Sequence, residues 1–134
     1  MAGGRSPELI AEWERCQEER DVEGLSRLLR DTWFAQGTDD YLDEQVRSTV
    51  ELDFSPAAEL EQKNPEQWSR VGSLAVPTTV IAGELDPADS LQASLDLAGA
   101  VPGAVLVRLP VDHVPQYREP EVVAETILAT ADRA

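Results

Sequence analysis

The apolar positions change their period part-way along the chain. From Ser6-Pro7 onward, Leu9, Ile10, Trp13 and Cys16 fall three and four apart, the stripe of an amphipathic helix. Ser6 suits the N-cap and Pro7 the first helical position. Val22, Leu25, Leu28, Leu29, Thr32 and Trp33 repeat the spacing, with Asp21 placed to cap them and Gly37 to end the helix. Asp39 or Asp40 opens a third helix with Leu42, Val46 and Val50 on its apolar face. Helices this short bury little by themselves and need a surface to lie on.

Near residue 71 the pattern alternates. Asn64-Pro65 predicts a cap and first turn for a short helix through Trp68. Val76-Pro77 leads into Thr78-Thr79-Val80-Ile81-Ala82, a β-branched apolar run closed by Gly83 and read as a strand. Leu91, Leu95 and Ala98 mark a helix ending around Gly99, and Pro102-Gly103 makes the turn into a second buried strand, Ala104 to Leu109. Pro120 begins a last helix with Val122, Val123, Thr126 and Ile127 inward. Strand, helix, strand, helix at these lengths predicts an α/β fold with parallel strands. The expected organisation is a helical segment over residues 1–70 and a βαβα unit over 71–134.

Composition narrows the classes of function. With 134 residues, 42% hydrophobic and 28% charged, the chain has the means for one core. It shows neither a spanning apolar run nor a hydrophobic signal segment behind Met1. Cys16 alone excludes an intrachain disulfide, and a single histidine, His113, excludes a multi-histidine metal site, so neither metal nor cofactor is expected. Twenty-six acids against eleven bases give −15, the wrong sign for holding a phosphate backbone. The excess is spread over both halves, net −9 in 1–70 and −6 in 71–134. The expectation is a cytoplasmic acidic domain with no nucleic-acid or membrane partner.

The strand order carries the candidate chemistry. A βαβ crossover is right-handed in about 98% of cases, and its two strands run the same way. The loops Gly83 to Asp89 and Pro110 to Pro115 therefore leave at one sheet edge, bringing Asp86 and His113 together. Open α/β sheets place ligands and reactive groups at that edge. A carboxylate beside an imidazole is the pairing of a general base with its orienting acid. Taken in isolation, a histidine near an aspartate in a loop is more often a solvated polar residue.

Several stretches resemble a known family. Val76-Pro77-Thr78-Thr79-Val80-Ile81-Ala82-Gly83-Glu84-Leu85-Asp86-Pro87 resembles the penultimate strand and acid loop of α/β-hydrolase fold enzymes. Val101-Pro102-Gly103-Ala104 through Leu109-Pro110 is similar to their last strand. His113-Val114-Pro115, followed by Arg118-Glu119-Pro120-Glu121-Val122-Val123, resembles the stretch with the catalytic histidine and closing helix. Upstream, Asp21 through Gly37 and Leu42 through Arg47 look like the helical lid of lactonase- and esterase-like members. The resemblance implies catalytic roles for Asp86 and His113, and a substrate cavity to which Trp33 or Phe34 contributes. Trp13 and Trp68 are expected in helix packing.

Other family parts have no counterpart here. There is no Gly-x-Ser-x-Gly elbow, and Ser73, which follows Gly72, stands before a strand rather than on a strand-to-helix turn. The oxyanion loop is missing as well. Asp112 occupies the place where the family commonly has glycine, which adds a second carboxylate near the ring; Glu84 and Asp89 do not match the acid's position. Loss of a triad nucleophile costs on the order of 10⁶ in turnover, so the isolated chain is expected to be inactive. One expectation is the C-terminal portion of a serine hydrolase for ester or lactone bonds, completed by a nucleophile-bearing chain. The alternative is a non-catalytic, hydrolase-derived module that binds a small molecule or protein. Residues 78–82 form an apolar strand without Lys or Glu, and either homo-oligomers or hetero-association are expected through this edge.

Overall fold

A computed structural model of the chain describes residues 6–60 and 66–134. They form two compact units that part between residues 60 and 66. In the first, α1 (Pro7–Glu18), α2 (Val22–Trp33) and α3 (Asp40–Asp53) precede a 3-10 turn, Pro56–Leu60. Each helix opens on a side-chain cap, which satisfies an amide with no partner inside the helix. Ser6 Oγ accepts from the Leu9 amide at 3.2 Å, Asp21 Oδ1 from Gly24 at 2.8 Å, and Asp39 Oδ1 from Leu42 at 2.9 Å. The helix α2 stops at Trp33, before Gly37, which takes φ +82° in the following turn.

The core of this unit is Cys16, Leu25, Leu28 and Val50, with Leu9, Trp13, Val22, Leu29 and Phe54 packed against it. Leu42 and Val46 are also buried on the α3 stripe that ends at Val50. Ile10, expected inward, is exposed. Leu9, Trp13 and Cys16 already form a continuous stripe at four- and three-residue spacing, and Ile10 lies one position round from it.

The second unit runs through a 3-10 turn, Trp68–Ser73, then β1 (Thr79–Gly83), α4 (Ala88–Ala100), β2 (Val105–Leu109), α5 (Pro115–Arg118) and α6 (Pro120–Ala131). The strands are parallel, pairing Thr79 with Val105 through Gly83 with Leu109. Helix α4 packs on β1 and on the Trp68–Ser73 turn, so residues 66–70 go with this unit rather than with the helical segment. Of the short helix expected from Asn64-Pro65, the first two residues lie outside the described ones; Trp68 sits in the 3-10 turn and is exposed.

Two expectations of burial fail here. Val105 and Leu106 of β2 are exposed where the apolar run predicts a buried strand, and Ile127 of α6 is 62% exposed where the spacing predicts an inward position. The described sheet has two strands, too narrow to cover all the apolar faces around it. The end of α6 is nonetheless tied to β1. Thr79 Oγ1 and Thr130 Oγ1 are 2.6 Å apart, and the Arg133 guanidinium donates to Thr79 Oγ1 at 2.6 Å. Between them runs an open groove of about 400 Å³, lined in part by Pro77, Thr79, Ile81, Thr126 and Ile127. No helix among the described residues is long and apolar enough to cross a membrane.

Candidate acid–histidine site

Because β1 and β2 are parallel and in register, their carboxyl ends finish side by side. Backbone bonds then stitch the exit loops together. The Glu84 amide donates to the Leu109 carbonyl at 2.8 Å, and the Leu85 amide to the Val111 carbonyl at 3.1 Å. The Asp86 amide turns back to the Gly83 carbonyl at 3.2 Å. Gly83 permits this crossing. A Cβ there would lie 2.7 Å from the Val111 carbonyl oxygen and 2.8 Å from that of Asp112, closer than carbon and oxygen can approach.

The two loops deliver Asp86 and His113 to each other. His113 Nδ1 is 3.2 Å from Asp86 Oδ1 and 3.2 Å from Oδ2. The Asp86 side chain is only 8% exposed, whereas that of His113 is 52% exposed. The carboxylate thus sits beneath the ring and the imidazole reaches outward. A carboxylate in this position can accept a hydrogen bond from Nδ1–H and orient the ring.

The neighbouring acids also make pairings of their own. Asp112 is fully buried and takes a fork from Arg118, Nε to Oδ1 at 3.1 Å and Nη2 to Oδ2 at 2.9 Å. Glu84 pairs with Arg108 at 2.9 Å, and Asp89 Oδ1 accepts from the Ser90 amide at 3.0 Å. The Ser73 hydroxyl donates to the Arg70 carbonyl at 2.7 Å, inside its own 3-10 turn. Trp33 and Phe34 are half-buried at the end of α2 and belong to the first unit, whereas Asp86 and His113 belong to the second. Phe34 lines a shallow, polar pocket of about 370 Å³ with Arg30, Asp31 and Thr38. Among the described residues no group of three or more His, Cys, Asp or Glu is placed to hold a metal ion.

Sequence reasoning missed Arg118 and the close approach at Gly83. The signal for Arg118 was present. Pro115 opens a one-turn helix after His113, and a turn at that point sends the chain back over Asp112.

No family model matches the sequence, and no curated protein matches it either. Among solved structures, the chain is similar to a probable hydrolytic enzyme from Pseudomonas aeruginosa, at 21% identity and a TM-score of 0.63. The match covers 95% of this chain and 48% of that one. The fold is hydrolase-like. At this identity the likeness speaks for the fold alone, and the chain spans about half the length of its structural neighbour.

Proposed function

We propose that the chain is the C-terminal portion of an α/β-hydrolase fold serine hydrolase acting on ester or lactone bonds. In this reading it supplies the acid, Asp86, and the general base, His113, to a nucleophile carried elsewhere. The observation that carries the reading is the 3.2 Å approach of His113 Nδ1 to a nearly buried carboxylate at the carboxyl edge of parallel strands. Asp86 holds the proton on Nδ1. His113 Nε2 takes the hydroxyl proton of an attacking serine and returns it to the leaving oxygen, while Asp86 stabilises the imidazolium between the two transfers. By the same resemblance, the helices of the first unit are read as a lid-like segment, with Trp33 and Phe34 as its candidate substrate-contacting residues.

The elbow has no counterpart in the sequence, and β1 offers the edge on which its segment would dock. The Val105 amide donates to the Thr78 carbonyl and the Glu84 amide to the Leu109 carbonyl, so the even-numbered backbone groups face β2. Those of Thr79 and Ile81 point to the opposite edge. A strand added there would lie beside the apolar groove between β1 and α6.

Reconstitution tests this reading. The chain is combined with the polypeptide encoded immediately upstream, if that carries a Gly-x-Ser-x-Gly elbow, and hydrolysis of p-nitrophenyl esters and simple lactones is measured. Turnover is expected to appear only in the mixture and to vanish with His113→Ala. Equal turnover with His113→Ala would overturn the proposal, and an upstream sequence without any elbow would favour the binding-module alternative. Alone, the chain is expected to hydrolyse no faster than His113→Ala and to resist a serine-directed fluorophosphonate.

A further inference from the structure

We infer that the hollow between α6 and β2 binds a short-chain aliphatic carboxylate, its alkyl chain under the helix and its head group on Arg133. The inference stands apart from the acid–histidine reading. The hollow lies towards the amino ends of the strands, whereas Asp86 and His113 lie past their carboxyl ends. A helix that follows a parallel pair ordinarily lays an apolar stripe on the sheet. Here no residue of α6 is buried, and polar groups hold its last turns to β1: the Thr79–Thr130 hydroxyl pair and the Arg133 guanidinium. On the β2 side of that latch a hollow of about 250 Å³ is left, lined in part by Thr79, Val105, Val107, Thr126, Ala129 and Arg133. Val105, exposed despite its place in the strand, is one of its walls.

The walls select the ligand's chemistry. Val105, Val107 and Ala129 offer carbon surface, which favours an alkyl chain. The threonine hydroxyls are engaged already: Thr79 and Thr130 with each other, Thr126 with the Val122 carbonyl and Thr130 with that of Thr126. Arg133 donates through Nη2 to the Thr78 carbonyl at 3.2 Å and to Thr79 Oγ1 at 2.6 Å, which fixes the guanidinium beside the hollow. No described residue accepts from its Nε or Nη1. No aspartate or glutamate is among the lining residues, in a chain with 26 acids against 11 bases. One fixed positive charge with donors to spare, next to carbon surface, favours a carboxylate with an apolar tail over an alcohol or a cation. The volume falls below the range of about 300–1,000 Å³ for drug-sized ligands, which limits the tail to a short chain.

Methyl NMR of the full chain, titrated with sodium acetate, butanoate and hexanoate and with 1-hexanol, tests the inference. Hexanoate is expected to shift the methyl signals of Val105, Val107 and Ala129 saturably in the millimolar range, and acetate to leave them in place. Each CH₂ added between butanoate and hexanoate is expected to tighten binding about fourfold. 1-Hexanol, with the same tail and no charge, is expected to bind about tenfold more weakly than hexanoate. Arg133→Gln is expected to bring hexanoate down to the level of 1-hexanol. Because that variant also loosens the latch on Thr79, Ala129→Leu provides a second check: it fills the hollow, leaves the latch intact, and is expected to abolish the shifts at Val105 and Val107. Hexanoate that gives no saturable shift, or that shifts Ile81 and Ile127 in place of these methyls, would overturn the inference. So would 1-hexanol binding as tightly as hexanoate, or Ala129→Leu binding hexanoate as the wild type does.

Discussion

At the scale of single residues, the site depends on one absent side chain as much as on those present. Gly83→Ala forces a methyl against the carbonyl oxygens of Val111 and Asp112, both backbone atoms that cannot swing aside. The expected loss of stability is about 1–3 kcal/mol, measurable by urea denaturation. The same push separates the two exit loops, so the Nδ1-protonated fraction of His113 is expected to fall with it. A Gly83→Ala chain of wild-type stability would show that the loops are freer than the geometry states. Arg118→Met is a different kind of loss, because it leaves the Asp112 carboxylate buried without its fork. Breaking such a pair costs roughly 3–5 kcal/mol, and urea denaturation of a variant that neutralises both partners separates the lost pairing from the lost packing. Asp112→Asn/Arg118→Met is expected to recover much of that stability.

At the scale of elements, the helices of the first unit begin where side-chain acceptors stand. Asp39→Ala is expected to cost about 1 kcal/mol by exposing the Leu42 amide at the start of α3. Asp21 does the same for α2, and the Gly24 amide is the main reason its carboxyl lies below the ordinary aspartate value of 3.8. Burial works against that shift, and the Arg15 guanidinium adds to it. Arg15 also holds Glu12 below its usual 4.5 through a hydrogen bond. A carboxyl whose folded pKa is depressed stabilises the fold above its unfolded pKa, and that stabilisation is lost as pH falls through the folded value. The thermal midpoint is therefore expected to drop on acidification below about pH 4. In Asp21→Asn that part of the pH dependence should flatten, and an unchanged profile would assign the acid sensitivity to other carboxyls.

At the scale of the whole molecule, apolar surface outruns the two strands that organise it. Ile127, Leu128, Val105 and Leu106 are exposed, and among the described residues no strand pairs with β1 on the edge to which the Thr79 and Ile81 backbone groups point, beside an apolar groove. Nothing in Thr79–Ala82 carries the charge or proline that usually blunts such an edge. The chain is expected to associate at micromolar concentration through this edge, with itself or with a partner that adds a strand. The charge of −15 opposes self-association most strongly at low salt. Sedimentation velocity checks the point. Ile81→Pro removes an amide that faces away from β2, so it is expected to abolish association while the pairing with β2 survives. A wild-type chain that sediments as a 14.7 kDa monomer at every concentration and salt would refute the expectation.

Local rules made much of this molecule legible in advance. Ser6, Asp21 and Asp39 cap the helices that the three-and-four spacing predicted, because a cap needs only a side chain and an amide three residues on. The parallel pairing of β1 and β2 followed from strand length and crossover handedness, and with it the meeting of loops 27 residues apart in sequence at Asp86 and His113. Burial was less legible. Ile10, Leu106 and Ile127 are as apolar as their buried neighbours, and whether such residues are covered depends on how many elements pack over them. That Asp112 takes a fork from Arg118 was likewise undecidable from spacing, since a carboxylate beside a histidine is able to serve the ring, a nearby arginine or both. Only the tertiary structure assigned it, by folding α5 back so that the Arg118 fork reaches both oxygens. Backbone periodicity and capping are local and can be read along the chain; the choice among partners for a buried charge is made by three-dimensional reach.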